Sequence, residues 1–289
     1  MTNITVLDHL LVVNLDVRVW TARKKLSPSD LGDAQLPPED LASLGSKRVC
    51  NPYDLKAFGT IKGRAFSLLN RHGILFLSGW AIPENKSQDI LDELSHMRDE
   101  FNFVKNNFLV SYDNSVQDWI AKHPHWASII AGSTVSKNYV SNCLSFGWQM
   151  YKIVPPFGQA GDEVWHNVEA LGDTLFHEIA RDAREAWRRC FDGKSDTRKA
   201  LSPLKTMQQK LHGLSFLEPR VNPVVELINA AFDTSPGAEP FRATCWSCCK
   251  GWSVLCRTHR HCLSTVSLSW TVIVPLTMCW TACCIILCQ

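Results

Sequence analysis

Between Ile90 and Phe108, apolar residues return at alternating steps of four and three: Ile90, Leu94, Met97, Phe101, Val104 and Phe108. A strand turns successive side chains to opposite faces and cannot collect such a series on one side, whereas an α-helix can. The spacing therefore predicts one long helix, starting near Pro83, with a seam of the coiled-coil or helical-hairpin type. Propensity alone does not hold such a helix; burial of its apolar stripe does. Two covers are possible: other segments of the same chain, which is the preferred reading, or a partner protein.

The remaining patterns suggest what could supply that cover. LLVVNLDVRVW at 10–20 is rich in β-branched residues and partly alternating, and reads as a strand. Pro28, Pro37 and Pro38 punctuate the loop that follows. Asn51-Pro52 offers an N-cap and a first helical residue, with Asp54 in the first turn. Leu55, Phe58, Ile61, Ala65 and Leu69 share one helical face, and Gly73 suits the stop. GILFLSGWAI at 73–82 reads as a second strand, and FGWQMYKIV at 146–154, closed by Pro155-Pro156, as a third. Val164, Val168, Leu171, Leu175, Ile179, Ala183 and Ala186 mark a second long helix to about Phe191, whose charged face reads as solvated. Ser202-Pro203 opens a third helix that stops at Gly213, and Asn222-Pro223 a fourth. No internal repeat is present. The expected architecture is α+β and mainly helical: long helices in a coiled-coil-like hairpin, with a small sheet of short strands.

Composition divides the chain unevenly. All 28 Asp and Glu lie at or before Glu239, and 26 of the 30 Lys and Arg lie in residues 1–241, which leaves that body with net charge −2. Nine of the twelve Cys and four of the eleven Trp fall in residues 242–289. The overall charge of +2 therefore reports the tail and gives no support to nucleic-acid binding by the body. Cys50, Cys143 and Cys190 are scattered, which suits free thiols in a reducing, cytoplasmic setting. Asp8 and Asp16 interrupt the apolar N-terminus, which lacks the basic start of a signal peptide. No uncharged apolar stretch in the body reaches the roughly 20 residues of a membrane span.

Read literally, the tail offers two sites. Cys245, Cys248, Cys256 and His259 have spacing suited to zinc, and residues 263–288 are uncharged and long enough to cross a bilayer. The genetic code supplies another reading. Cys and Trp codons begin TG, and any base followed by TG encodes Leu, Val or Met. Thr codons begin AC, and any base followed by AC encodes Asp, Asn, His or Tyr. Shifted by one frame, Met278-Cys279-Trp280-Thr281 must decode as Val-Leu-Asp, and Cys248-Cys249 and Cys283-Cys284 must each give Leu. The shifted tail regains the missing acids and a helical apolar period. The expected division is a body over 1–241 and an out-of-frame tail over 242–289.

Chemistry-bearing motifs in the body are sparse. Residues 1–241 contain no G-x-G-x-x-G, Walker A, H-E-x-x-H or G-x-S-x-G pattern. His177-Glu178 begins like a zinc-protease helix, but Arg181 stands where the second histidine belongs, and a surface pair is preferred. His123-Pro124-His125-Trp126 could bind a metal or stack on a base, or simply turn the chain after the long helix. Arg18, Arg23, Lys24 and Lys25 with Trp20 form the densest basic-aromatic cluster. It reads as a phosphate contact or as a solvated corner. Cys50 and Cys190 lack the local histidine or acid that marks a nucleophile. No catalytic, cofactor or metal residue is expected in the body.

VVNLDVRVWTARKKL, GILFLSGWAIP, FNFVKNNFLVSYDNSVQDWI and ALSPLKTMQQKLHGLSFLEPRV resemble a bacterial family known as domain of unknown function 3150, over about residues 5–235. The resemblance implies carriage on integrative and conjugative elements, plasmids and phages. It also implies gene neighbours encoding an AAA+ ATPase that resembles a cobalt-chelatase subunit and a von Willebrand factor A protein. It assigns no catalytic residue. The function it suggests is a non-catalytic adaptor for such an ATPase. The alternatives are a nucleic-acid-binding or processing factor using Arg18, Arg23, Lys24 and Lys25, and a membrane-anchored zinc protein if the tail is genuine.

Overall fold

A computed structural model describes residues 3–31, 42–155, 158–186, 202–218, 225–226 and 229. In chain order the elements are α1 (Asn3–Asp8), β1 (Leu10–Arg18), β2 (Arg23–Lys25), β3 (Ser46–Arg48), α2 (Lys56–His72), β4 (Ile74–Phe76), β5 (Gly79–Pro83), α3 (Ser87–Lys122), α4 (Ala127–Ala131), α5 (Lys137–Asn142), β6 (Ser145–Tyr151), α6 (Gln159–Glu169), α7 (Leu171–Ala186) and α8 (Ser202–Leu214). The main sheet runs β4-β5-β1-β6, and β2 pairs with β3 alone. The fold is α+β and mainly helical, as expected. Two compact units divide it, one from residues 14–68 and 88–150, the other from 1–13, 69–87 and 151 onward.

The unit of residues 14–68 and 88–150 is built on the predicted seam. Ile90, Leu94, Met97, Phe101 and Phe108 are buried, Val104 is half-buried, and Tyr112 and Val116 extend the stripe. The cover comes from the same chain. Phe58 of α2 meets Phe101 edge-on at 5.0 Å between ring centroids and Phe108 at 5.9 Å. Arg64 pairs with Glu100 at 2.6 Å, and Ser115 donates to Asp54. These contacts climb α2 while descending α3, so the two helices are antiparallel. Phe146 of β6 and Trp20, just past β1, complete the cover at 5.7 Å from Phe101 and 6.4 Å from Phe108. The wall against α3 is therefore mixed, part helix and part strand. Asn51 caps the turn before α2 by accepting from the Tyr53 amide at 3.1 Å, as its sequence position predicts.

In the other unit, Leu10–Val13 of β1 pair antiparallel with β5 from Leu10↔Pro83 to Val13↔Trp80. The expected single strand over 73–82 is instead a hairpin, β4 and β5, joined by Leu77-Ser78 between Phe76 and Gly79. Leu77 takes φ +52°, the left-handed conformation that such two-residue turns demand. Gly79 is obligatory: a Cβ there would sit 2.5 Å from the Val13 carbonyl oxygen. Gly73 ends α2 for a different reason than expected. Its φ is not positive, and a side chain would meet the Ala81 carbonyl at 2.9 Å.

The expected second long helix is two, α6 and α7, broken at Ala170. Its apolar series still faces inward: Val168, Leu171, Leu175 and Ile179 are buried with Leu10 and Ile74 in one core. The charged face of α7 is not wholly solvated, which corrects the expectation. Glu178 accepts from Lys210 of α8, and Lys210 is 4 % exposed. The same ammonium donates to the Asn70 carbonyl at 3.2 Å, while Trp80 Nε1 donates to Asn70 Oδ1 at 2.7 Å. One polar knot thus ties α7, α8, the end of α2 and β5. The expected fourth helix lies largely outside the described residues, as do Cys190 and the whole of 242–289. Among the described residues, no helix is long and apolar enough to cross a membrane.

Candidate nucleic-acid interface

β2 and β3 form a separate two-stranded ribbon whose antiparallel register sets Arg23 opposite Arg48, Lys24 opposite Lys47 and Lys25 opposite Ser46. Neighbouring strand residues point to opposite faces, so Arg23, Lys25 and Arg48 share one face and Lys24 and Lys47 the other. Arg23, Lys24 and Lys25 are all exposed, and Arg48 with them. Both cation pairs repel across the ladder. One pair is relieved: Lys47 Nζ lies 2.5 Å from Asp30 Oδ1, with both side chains largely covered. The Ser27 amide and hydroxyl also donate to Asp30, at 2.8 and 2.9 Å. Lys47, followed by these serine contacts, lowers the Asp30 carboxyl to about 2. The other pair, Arg23 with Arg48, has no carboxylate partner among the described residues.

The chain enters the ribbon through strained backbone. Ala22 takes φ +53° and is buried, and its carbonyl accepts the Val49 amide at 3.0 Å, which starts the pairing. A left-handed alanine costs on the order of 1 kcal/mol. Such strain is found preferentially where function fixes the backbone.

The ribbon separates the cluster read from the sequence. Arg23, Lys24 and Lys25 come together. Arg18 stays at the end of β1, where it donates to Ser145 Oγ at 3.0 Å and lies 3.5 Å from Asp16. Trp20 is buried against Phe108 and Tyr112, so it belongs to the core and cannot stack on a base. Lys47 and Arg48 were missed, because Ser-Lys-Arg carries no strand signature; only pairing with β2 makes it one.

The other candidate residues disperse. His123-Pro124-His125-Trp126 makes the turn that ends α3. Trp126 remains exposed, while the His123 ring packs 4.5 Å from that of Trp119. His177 Nδ1 contacts the Asp173 carbonyl on its own helix, while Glu178 takes Lys210, so the two do not act together. Burial, with a smaller contribution from Asp54, pushes the Cys50 thiol up to about 12, which holds it as the inert protonated form. Among the described residues, no group of three His, Cys, Asp or Glu side chains is arranged to hold a metal. Cys245, Cys248, Cys256 and His259 lie outside the described residues.

Fold and surface together define a class: a mainly helical α+β protein that presents a basic β-ribbon. Within that class, the chain belongs to the family described as Protein of unknown function (DUF3150), whose profile matches residues 7–256. The last matched residues, 242–256, lie in the cysteine-rich tail. No curated protein and no solved structure matches the chain.

Proposed function

We propose that this chain is a non-catalytic, cytoplasmic interaction protein of a bacterial mobile element, an adaptor for a neighbouring AAA+ ATPase and von Willebrand factor A protein. The supporting observation is the outer face of α3. Its inner face is consumed by the core, yet Phe103 and Val110 stand 68 % and 82 % exposed, two helical turns apart on one stripe. Exposed Asn106, Asn107 and Asn114 flank them. A large aromatic ring held in water beside hydrogen-bonding amides is the composition of a docking face. The test is co-purification of the full chain with the ATPase encoded beside it. Phe103→Ser/Val110→Ser is expected to weaken capture by tenfold or more, since single anchors of this kind contribute about 2 kcal/mol. Undiminished capture by the double variant sinks the assignment of this face.

A second reading, nucleic-acid binding, is favoured by Arg23 and Arg48, which face each other without a counter-ion among the described residues. Here Arg23→Ala/Lys24→Ala should abolish a salt-dependent DNA mobility shift. In either reading we take residues 242–289 to be the gene read out of frame, so that neither zinc nor a bilayer anchor enters the function. The support is the confinement of every Asp and Glu to residues up to Glu239.

A further inference from the structure

Two motifs about a hundred residues apart in sequence meet in the unit of residues 14–68 and 88–150. Trp119, in the last turn of α3, donates its indole N–H to the carbonyl oxygen of Arg48 at 3.2 Å. This bond seats the end of α3 beside the ribbon. Lys122 Nζ lies 5.6 Å over the Trp119 ring, and the His123 ring packs edge-on against the same ring. One turn later the Trp126 amide donates to the His123 carbonyl at 2.9 Å. A continuous series of contacts therefore runs Arg23, Arg48, Trp119, His123, Trp126.

Resting on the second reading above, we infer that the β2–β3 ribbon and the C-terminal end of α3 form one binding surface for single-stranded nucleic acid, with the ribbon cations on phosphates and Trp126 under a base. Arg23, Lys25, Arg48 and Lys122 bring four positive charges to this surface. Among the described residues, the carboxylates near it are few. Asp30 is held by Lys47, Asp54 by Ser115, and Asp118 is exposed beside Trp119. The like-charged Arg23–Arg48 pair is a standing electrostatic cost that a phosphate between the two guanidiniums would remove. Trp126 is 56 % exposed and makes no ring contact with a described residue, unlike Trp119 or Trp20. An indole so displayed in water gains by covering its face. A duplex stacks its bases on each other and shows a protein only their edges. A single strand shows base faces next to phosphates, the pairing of groups found here.

Fluorescence anisotropy tests this with the full chain, a labelled oligothymidylate and a duplex of equal length. The single strand is expected to bind at least tenfold more tightly than the duplex. Trp126→Ala should weaken single-strand binding on the order of tenfold, and Trp126→Phe should retain most of it. Arg23→Gln/Arg48→Gln should flatten the logarithmic salt dependence by about 0.7 for each cation removed. These positions are exposed, and circular dichroism checks that each variant remains folded. Equal affinity for duplex, or indifference to Trp126→Ala, overturns the inference and leaves the ribbon as a charge-only contact. Failure to bind either nucleic acid at low salt overturns both.

Discussion

Asp30 shows how a single carboxylate organises a charged ribbon. It answers Lys47 on one side and Ser27 on the other, and these donors bring its titration down from 3.8 to about 2. For an acid so lowered, the ionised form favours the folded state. The stabilisation is whole above about pH 4 and disappears as pH falls through 2. A carboxyl-detected NMR titration should place the Asp30 midpoint near 2, and Lys47→Gln should return it toward 3.8. A midpoint indifferent to that substitution would show that Lys47 is not the cause. At this scale the sequence could be read only in part. The basic residues at 23–25 are visible as letters, but adjacency along the chain said nothing about Trp20. Its ring turns inward, 5.8 Å from Tyr112, because the core of α3 takes up any large apolar group within reach.

The elements were more legible, and for a physical reason. Burial on a helix repeats, so α3 announces itself over 36 residues, and its stripe continues inward through Val116. Phe101→Ala should cost about 3–5 kcal/mol in denaturant unfolding. Phe103→Ala, two residues along and exposed, should cost little. Comparable losses would mean that the outer face is packed after all. Turns and breaks leave weaker marks. The β4–β5 hairpin went unread because Leu77-Ser78 lacks the glycine or asparagine that usually signals a positive φ. The break between α6 and α7 went unread because the apolar period of Val168, Leu171 and Leu175 runs straight through it. The knot at Lys210 was invisible in sequence, since its partners lie 32 and 140 residues away. Lys210→Met alone should destabilise by about 3–5 kcal/mol by stranding Glu178, and Lys210→Met/Glu178→Leu should recover most of that loss. A double-mutant cycle in urea measures the difference. If the losses simply add, the pair is not coupled.

For the molecule as a whole, the reading of residues 242–289 as out of frame is open to direct test. If residues 242–289 are misread, full-length protein will purify without stoichiometric zinc, and sibling genes will encode Leu, Val and Asp where this one reads Cys, Trp and Thr. One equivalent of zinc by metal analysis would restore Cys245, Cys248, Cys256 and His259 as ligands. The division into two units was not readable, because each is assembled from separated segments with no linker composition between them.

That interleaving bears on how the protein is made. The unit carrying the basic ribbon and the aromatic end of α3 is complete once Met150 has been added. The other waits for α7 and α8 before Leu10, Ile74 and their neighbours have a lid. Domains generally fold as units while synthesis proceeds. A lesion late in the reading frame therefore falls on the half that closes last. The earlier half leaves the ribosome already built, so a damaged gene would still deliver its charged face.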